Sequence, residues 1–188
     1  MFPFSSSPPA KTLADFTRPD LVIPELKSRT PSSVIAELCL LLRRQACLND
    51  GTAFYDAVLA REFLSPTSLP CGWAMPHGRL KGLPRLCFAL GRLAQPVHWL
   101  GYSGSPVRLL LLFAVPEDEA RNYLNLIAAV ARLSQDSVLV KQLNSATDAA
   151  GIIHVLQQVP LPAVQPARVS EPATKRGIFG PSLLPRSS

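Results

Sequence analysis

The sequence predicts an α/β fold, a single domain in which helices cover both faces of a mixed β-sheet. The chain has 188 residues, and at roughly 100–200 residues per domain one domain is expected. Apolar residues make up 47% of the chain and charged residues 17%. This is enough apolar surface to build a core, which excludes wholesale disorder. Along the middle of the chain, apolar runs typical of strands alternate with apolar residues at helical spacing, as in a layered domain.

Apolar spacing predicts five helices. Thr30 or Ser32 is expected to cap the first helix, which begins after Pro31. Another helix follows Pro116, and its first turn is expected to hold three acidic residues, which favour the positive end of the helix dipole. These residues are Glu117, Asp118 and Glu119. The other three helices are expected near residues 52–63, 137–143 and 147–157.

Strand patterns occur in four places. Residues 107–115 are almost wholly apolar, as in a strand covered on both faces. Residues 85–93 alternate well enough for a second strand. Residues 72–75 form a short extended stretch, and residues 21–26 are consistent with a short edge strand. Together with the helices, these strands predict a mixed sheet between helical layers.

Proline marks both ends of the chain, with six residues in 1–31 and six in 160–188. Each proline fixes φ and removes a backbone donor, so neither end suits a long helix or a central strand. We therefore expect flexible tails at 1–18 and 160–188 around a folded domain at 19–159. We expect neither a transmembrane helix nor a signal peptide, and hence a cytoplasmic protein, because no apolar run approaches the roughly 20 residues that span a bilayer.

Charge and cysteine usage exclude several classes of function. The net charge is +6, but the tails carry +1 and +3 and the predicted body only +2. A body without a basic stripe is not expected to bind nucleic acid. No C-x-x-C pair occurs among the four cysteines and no histidine pair has ligand spacing, so the sequence predicts reduced thiols and no metal site.

One histidine stands out in the segment 71–79. Pro76 restricts the backbone before His77, and Gly78 lacks a side chain, which is expected to let another molecule approach the imidazole closely. A histidine with an ordinary pKa of ~6.5 is largely neutral and nucleophilic at neutral pH. The segment therefore predicts a nucleophilic histidine on a rigid rim. The alternative is a turn histidine whose ring only satisfies a nearby carbonyl.

This segment resembles a family signature. Residues 72–79 read G-W-A-M-P-H-G-R, similar to the G-x-A-x-P-H-G-[RK] motif of enzyme IIA of the phosphoenolpyruvate-dependent sugar phosphotransferase system. The class is the fructose, mannitol and nitrogen-regulatory one (type 2). Residues 60–67 resemble its R-E-x-x-x-x-T segment, and residues 104–118 resemble its central strand and the start of the following helix. The resemblance covers roughly 19–158 and implies the IIA type-2 fold.

The resemblance implies a phosphocarrier. His77 would accept a phosphoryl group from the phosphohistidine of a small histidine-containing carrier protein. It would pass the group to a IIB domain, or hold it as a regulatory mark. The group would come ultimately from phosphoenolpyruvate, so neither a metal nor another cofactor is implied. Arg61 would stabilise the phosphate charge; alternatively it is a helix-terminal arginine that meets a carbonyl or Glu62.

Tyr123 departs from the family pattern, since many members carry a second histidine there. Tyrosine can donate a hydrogen bond but is not a cation at neutral pH, so Tyr123 and Gly78 are expected to support the phosphate side, unless Tyr123 only packs on the core. Trp73, Leu80 and Arg79 are expected to dock a partner protein, with Trp73 in the core as the alternative. The alternative function is a non-catalytic regulatory interaction module on the same fold.

Overall fold

A computed structural model describes residues 11–99 and 105–162 of the chain. It contains one six-stranded sheet and five α-helices. The strands are β1 (Val22–Leu26), β2 (Ser68–Leu69), β3 (Trp73–Ala74), β4 (His77–Leu80), β5 (Cys87–Val97) and β6 (Val107–Pro116). The helices are α1 (Pro31–Arg44), α2 (Gly51–Leu64), α3 (Ala120–Gln135), α4 (Ser137–Ser145) and α5 (Ala149–Gln157).

Strand β6 lies at the centre of the sheet and pairs along both edges. On one side it is antiparallel to β5, which in turn is parallel to the edge strand β1. On the other side β6 is parallel to both β3 and β4, and β2 is antiparallel to β3. The sheet is therefore mixed, as predicted. All but one of the residues of β6 are buried, which confirms the prediction of a strand covered on both faces.

Strands β3 and β4 form one extended segment along the edge of β6. Ala74 pairs with Leu110 and His77 with Phe113, so the register continues unchanged across the interruption. Pro76 lies within the interruption, and its carbonyl accepts a hydrogen bond of 3.0 Å from the Phe113 N–H. The extended stretch expected at 72–75 contains β3, but a further strand, β4, begins at His77 and was not predicted.

Helices cover both faces of the sheet, as predicted. Helices α1 and α2 pack on one face, against a core that includes Leu38, Phe54 and Leu112. Helices α3, α4 and α5 pack on the other face, against a core that includes Phe113 and Leu126. Because side chains alternate along a strand, β6 contributes residues to both cores.

Side-chain caps determine where most helices begin. Thr30 caps α1, and Asp50 caps α2 by accepting hydrogen bonds from two backbone N–H groups of the first turn. Helix α3 differs from the prediction, because residues 117–118 form a turn and Glu119 is its N-cap position. The cause is that β6 extends to Pro116, whose carbonyl accepts a hydrogen bond from the Glu119 N–H at 3.1 Å.

The first described residues belong to the folded body, contrary to the tail expected at 1–18. Leu13 is fully buried in the core beside α3 and α5. Its N–H donates to the Val159 carbonyl at 3.0 Å, and Thr12 forms an antiparallel bridge with Pro160. The boundary was missed because Leu13 lies in a four-residue 3-10 turn, which is too short to show an apolar period. Most of the other expected tail, 163–188, lies outside the described residues.

Replacing Leu13 with alanine tests this boundary. We expect Leu13→Ala to lower the free energy of unfolding by about 2–5 kcal/mol, because it leaves a cavity at a fully buried position. Urea denaturation of the full chain measures the change. Asp20→Ala, at an exposed position just after this segment, is the control and should lie within about 0.5 kcal/mol of the unsubstituted protein. An unchanged midpoint for Leu13→Ala would make residues 11–18 a tail after all.

Candidate functional site

His77 lies at the start of β4, on the sheet face that α3 covers. Its side chain is half-buried, and Nδ1 is fully buried without a hydrogen-bond partner among residues 11–99 and 105–162. A hydrogen bond to the Met75 backbone nevertheless raises the pKa of His77, so the alternative role, a ring that meets a nearby carbonyl, is not overturned. Because Nδ1 is enclosed, the accessible part of the imidazole carries Nε2. The ring borders a cleft of about 320 Å³. The other residues lining this cleft are Pro66, Thr67, Ser68, Leu69, Met75, Tyr123, Leu124 and Ile127.

Tyr123 projects from α3 toward the histidine. The centres of the Tyr123 and His77 rings are 5.3 Å apart, with the ring planes tilted by 40°. The Tyr123 ring also packs edge-on against Phe113 at 5.7 Å, so it both contacts the core and borders the cleft. Burial raises the pKa of Tyr123 to about 12. Its hydroxyl therefore stays protonated at neutral pH and can donate a hydrogen bond into the cleft.

Arg61 lies in the last turn of α2. Its Nη1 donates a hydrogen bond of 2.7 Å to the Ser65 carbonyl, which is the helix-terminal contact considered as the alternative. The guanidinium charge nevertheless acts at the cleft, since it lowers the pKa of both His77 and Tyr123. The helix-terminal contact is therefore present, and it occupies one of several guanidinium donors; the stabilisation of a phosphate by Arg61 stays a prediction.

The pKa of His77 lies below the ordinary histidine value. Burial is the main cause, because it disfavours the charged ring, and the positive charge of Arg61 lowers the pKa further. The Met75 backbone and the Glu62 carboxylate act in the opposite direction, with smaller effects. The balance leaves a neutral imidazole at neutral pH, the form in which a ring nitrogen has a free lone pair.

Glu62 follows Arg61 in the sequence but is fully buried. Its Oε1 accepts hydrogen bonds from the Thr67 N–H at 2.7 Å and from the Trp99 indole N–H at 2.6 Å. The Thr67 hydroxyl lies 3.0 Å from Oε1 and 2.9 Å from Oε2, and its oxygen accepts a hydrogen bond from the Met75 N–H at 3.2 Å. This chain of contacts joins the end of α2 to the backbone two residues before His77.

Glu62, Thr67 and Trp99 were not predicted as site residues. The R-E-x-x-x-x-T spacing was the available signal, since it contains both the carboxylate and the threonine that binds it. A lone glutamate is usually exposed, so nothing in the residue pattern placed this one in the core.

Gly78 is required for packing and does not open access to the imidazole. A Cβ at this position would lie 2.5 Å from the Phe54 ring and 3.0 Å from Val58, closer than real side chains approach. The absent side chain thus allows α2 to lie against β4. The expectation that Gly78 lets another molecule approach His77 was wrong, because neighbouring residues of a strand face opposite sides of the sheet.

The expected docking residues divide into different roles. Trp73 is buried in the core on the α3 face, so its role in docking was wrong and its alternative was right. Leu80 is half-buried against the opposite core. Arg79 is exposed, and its Nη2 donates to the Glu117 carbonyl at 2.5 Å. Exposed apolar side chains lie instead at the end of α2, Phe63 and Leu64, and at the cleft, Leu124; they are 68%, 85% and 66% exposed. We call these three residues the apolar rim.

Other kinds of site were also sought among the described residues. No group of three or more histidine, cysteine or acidic side chains there is placed to hold a metal ion. None of the helices in the described ranges is long and apolar enough to cross a membrane. Burial raises the pKa of Cys39 and of Cys87 to about 12, so these thiols stay protonated at neutral pH.

Comparison with known proteins identifies the family. Residues 15–159 match the family described as "Phosphoenolpyruvate-dependent sugar phosphotransferase system, EIIA 2". The chain belongs to this EIIA 2 family. It is 30% identical over 151 residues to a nitrogen regulatory protein of Bradyrhizobium diazoefficiens. The aligned region covers 80% of this chain and 98% of that protein.

Solved structures share the EIIA 2 fold. The nitrogen regulatory protein IIA-Ntr from Neisseria meningitidis superposes with a TM-score of 0.67 at 24% identity, covering 77% of this chain and 98% of that one. Enzyme IIAMTL, solved in complex with phosphorylated enzyme IIBMTL from Escherichia coli, superposes with a TM-score of 0.61 at 19% identity. This match covers 73% of this chain and 94% of that one. The α/β fold expected from the motifs is thus confirmed.

The influence of Arg61 on this EIIA 2 site can be measured directly. We expect Arg61→Gln to raise the pKa of His77, because one of the two causes that lower it is removed, while burial keeps the pKa below the ordinary value. NMR titration of the ring signals measures the pKa. The exposed His154 on α5 provides an internal control. A His77 titration unchanged by Arg61→Gln would place the guanidinium away from the cleft.

Proposed function

We propose that this member of the EIIA 2 family is a phosphocarrier that holds a phosphoryl group on Nε2 of His77. The observation that carries the proposal is the state of this ring. Its Nδ1 is enclosed, the remainder borders an open cleft, and burial and Arg61 keep it neutral. A neutral imidazole with one accessible nitrogen is a nucleophile that can attack only through that nitrogen.

The donor in this proposal is the phosphohistidine of a small carrier protein. The lone pair on Nε2 of His77 attacks the phosphorus, and a P–N bond forms there as the P–N bond to the carrier breaks. The electron pair of the broken bond returns to the carrier's ring nitrogen. Each of the two rings keeps the proton on the nitrogen that does not bond to phosphorus, so no proton has to move. The protein contributes positioning and charge stabilisation, and the proposed step calls on no resident cofactor.

Arg61 and Tyr123 are the groups proposed to stabilise the phosphoryl oxygens. The Arg61 guanidinium is planar and permanently charged, which suits phosphate oxygens better than a lysine would. The Tyr123 hydroxyl adds a neutral donor from α3, the helix on the other side of the cleft. Because tyrosine does not become a cation at neutral pH, Arg61 carries the positive charge of this pair.

The partners in this proposal are the carrier that donates the group and a protein that receives it. The apolar rim is suited to docking, because exposed apolar side chains at the margin of a site commonly mark interfaces. A recipient of the IIB kind is supported by the complex formed by enzyme IIAMTL. A regulatory target is supported by the nitrogen regulatory protein that this chain matches along nearly its whole length. A cytoplasmic location remains a prediction.

A non-catalytic interaction module is the second candidate. It is favoured by one observation, Tyr123 at the position where many family members carry a histidine. In that case the apolar rim would bind a partner whether or not His77 carries phosphate. The two candidates differ in whether a covalent intermediate forms.

Intact-mass analysis separates these two functions. The full chain is incubated with phosphoenolpyruvate, enzyme I and the small histidine carrier of the host. We expect an acid-labile gain of one phosphoryl group that is absent in His77→Ala. The variant should keep its thermal midpoint, since the half-buried ring lies beside an open cleft. No gain in the unsubstituted protein would favour the interaction module, and a gain in His77→Ala would place the acceptor elsewhere.

The contribution of Tyr123 can be tested by removing its hydroxyl. We expect Tyr123→Phe to slow phosphoryl acceptance by about tenfold, the value of one hydrogen bond to a charged group, while the ring continues to pack on Phe113. Quenched-flow mass analysis measures the rate. Tyr55→Phe on α2 is the matched control. If Tyr123→Phe accepted phosphate as fast as the unsubstituted protein, Tyr123 would only pack on the core.

A further inference from the structure

The carboxylate of Glu62 is the one charged side chain that is fully buried among the described residues. Buried carboxylates usually lie beside a cation. The hydrogen-bond donors to Glu62 in the described ranges are all neutral: the Thr67 N–H, the Thr67 hydroxyl and the Trp99 indole N–H. These donors fix the orientation of the carboxylate and bring no positive charge to it. No hydrogen-bonded cation in the described ranges therefore offsets a negative charge at the end of α2.

The Glu62 charge reaches the cleft and opposes that of Arg61. Glu62 raises the pKa of both His77 and Tyr123, whereas Arg61 lowers both. The two residues are adjacent in the last turn of α2, with Glu62 enclosed and Arg61 half-exposed. A single helix end thus applies charges of opposite sign to one histidine.

We propose that Glu62 is a positioning residue that also sets how readily phospho-His77 gives up its phosphoryl group. This inference rests on the proposed function. The hydrogen bonds of Glu62 hold the backbone at Thr67 and Met75, and so place His77. Its uncancelled charge repels the phosphoryl oxygens and limits the stabilisation that Arg61 provides.

The electrostatic part follows from the charge that phosphorylation adds. A phosphoryl group brings about −1.5 to −2 charges at neutral pH. Arg61 alone would favour the phosphorylated state and retain the group. A carrier must release the group as well as accept it, so a permanent negative charge near the site keeps the exchange reversible. Thr67 and Trp99 contribute through geometry only, because they are neutral.

The test compares the loss of charge with the loss of a hydrogen bond. Glu62→Gln removes the charge but keeps an acceptor for the Thr67 and Trp99 N–H groups, and its amide can donate to the Thr67 hydroxyl oxygen. Thr67→Val and Trp99→Phe are the matched variants, since each removes one neutral donor and keeps the carboxylate. The equilibrium between phosphorylated carrier and phosphorylated protein is measured for each by intact mass. The pKa of His77 is measured by NMR titration without phosphate.

We expect Glu62→Gln to shift the equilibrium toward phosphorylated protein by about threefold or more, which corresponds to half a pKa unit of coupling. It should also lower the pKa of His77. Thr67→Val and Trp99→Phe should slow acceptance and donation alike and leave the equilibrium unchanged. The double variant Arg61→Gln/Glu62→Gln should return the equilibrium toward that of the unsubstituted protein.

Two results would overturn the inference. One is an equilibrium for Glu62→Gln that matches the unsubstituted protein, and the other is an equal shift in Thr67→Val, which would make the role structural. If the unsubstituted protein accepts no phosphate, the proposed function itself fails, and the titration still reports whether the Glu62 charge reaches His77. Should Glu62→Gln not fold, Glu62→Met should shift the equilibrium in the same direction. Because it also removes the hydrogen bonds to Thr67 and Trp99, it should in addition slow acceptance and donation alike.

Discussion

The pairing of β6 along both of its edges is the constraint on which the rest of the structure depends. Its side chains alternate between two cores, so the two helical layers pack against different residues of the same ten-residue strand. Its backbone also fixes the register of β3 and β4, and through Phe113 it places His77 at the open edge. The position of the histidine is therefore set by main-chain hydrogen bonds of a buried strand and not by a flexible loop.

Against this rigid edge, the end of α2 supplies the chemistry. Gly78 allows the helix to lie close to β4. The hydrogen bonds of Glu62 to Thr67 link the helix end to the backbone before His77, while Tyr123 approaches from α3. The α2 residues carry opposite charges, and Tyr123 carries none at neutral pH. An anion bound at His77 would meet both attraction and repulsion, which suits a group that is held only temporarily.

The sequence predicted the long elements and the reactive residue, since both leave strong patterns. The apolar run of β6 and the helical spacing after Pro31 each extend over ten or more residues, and His77 lies in a distinctive motif. Strands of two to four residues show no usable alternation, so β2 and β4 were missed and Trp73 was assigned to the surface. The burial of Leu13 was missed because its 3-10 turn is short and lies in a proline-rich segment. Glu62 was missed because its burial depends on Trp99, 37 residues away.

The bridge between Thr12 and Pro160 holds the two ends of the folded body together. It joins nearly the first and last described residues, so the folded body is a closed loop of chain whose two ends emerge side by side. Such a body can be inserted into a larger protein or circularly permuted without crossing its own core. Tension applied between the two ends would act on this bridge first. Strand β4, which pairs with β6 and carries His77, would bear no load.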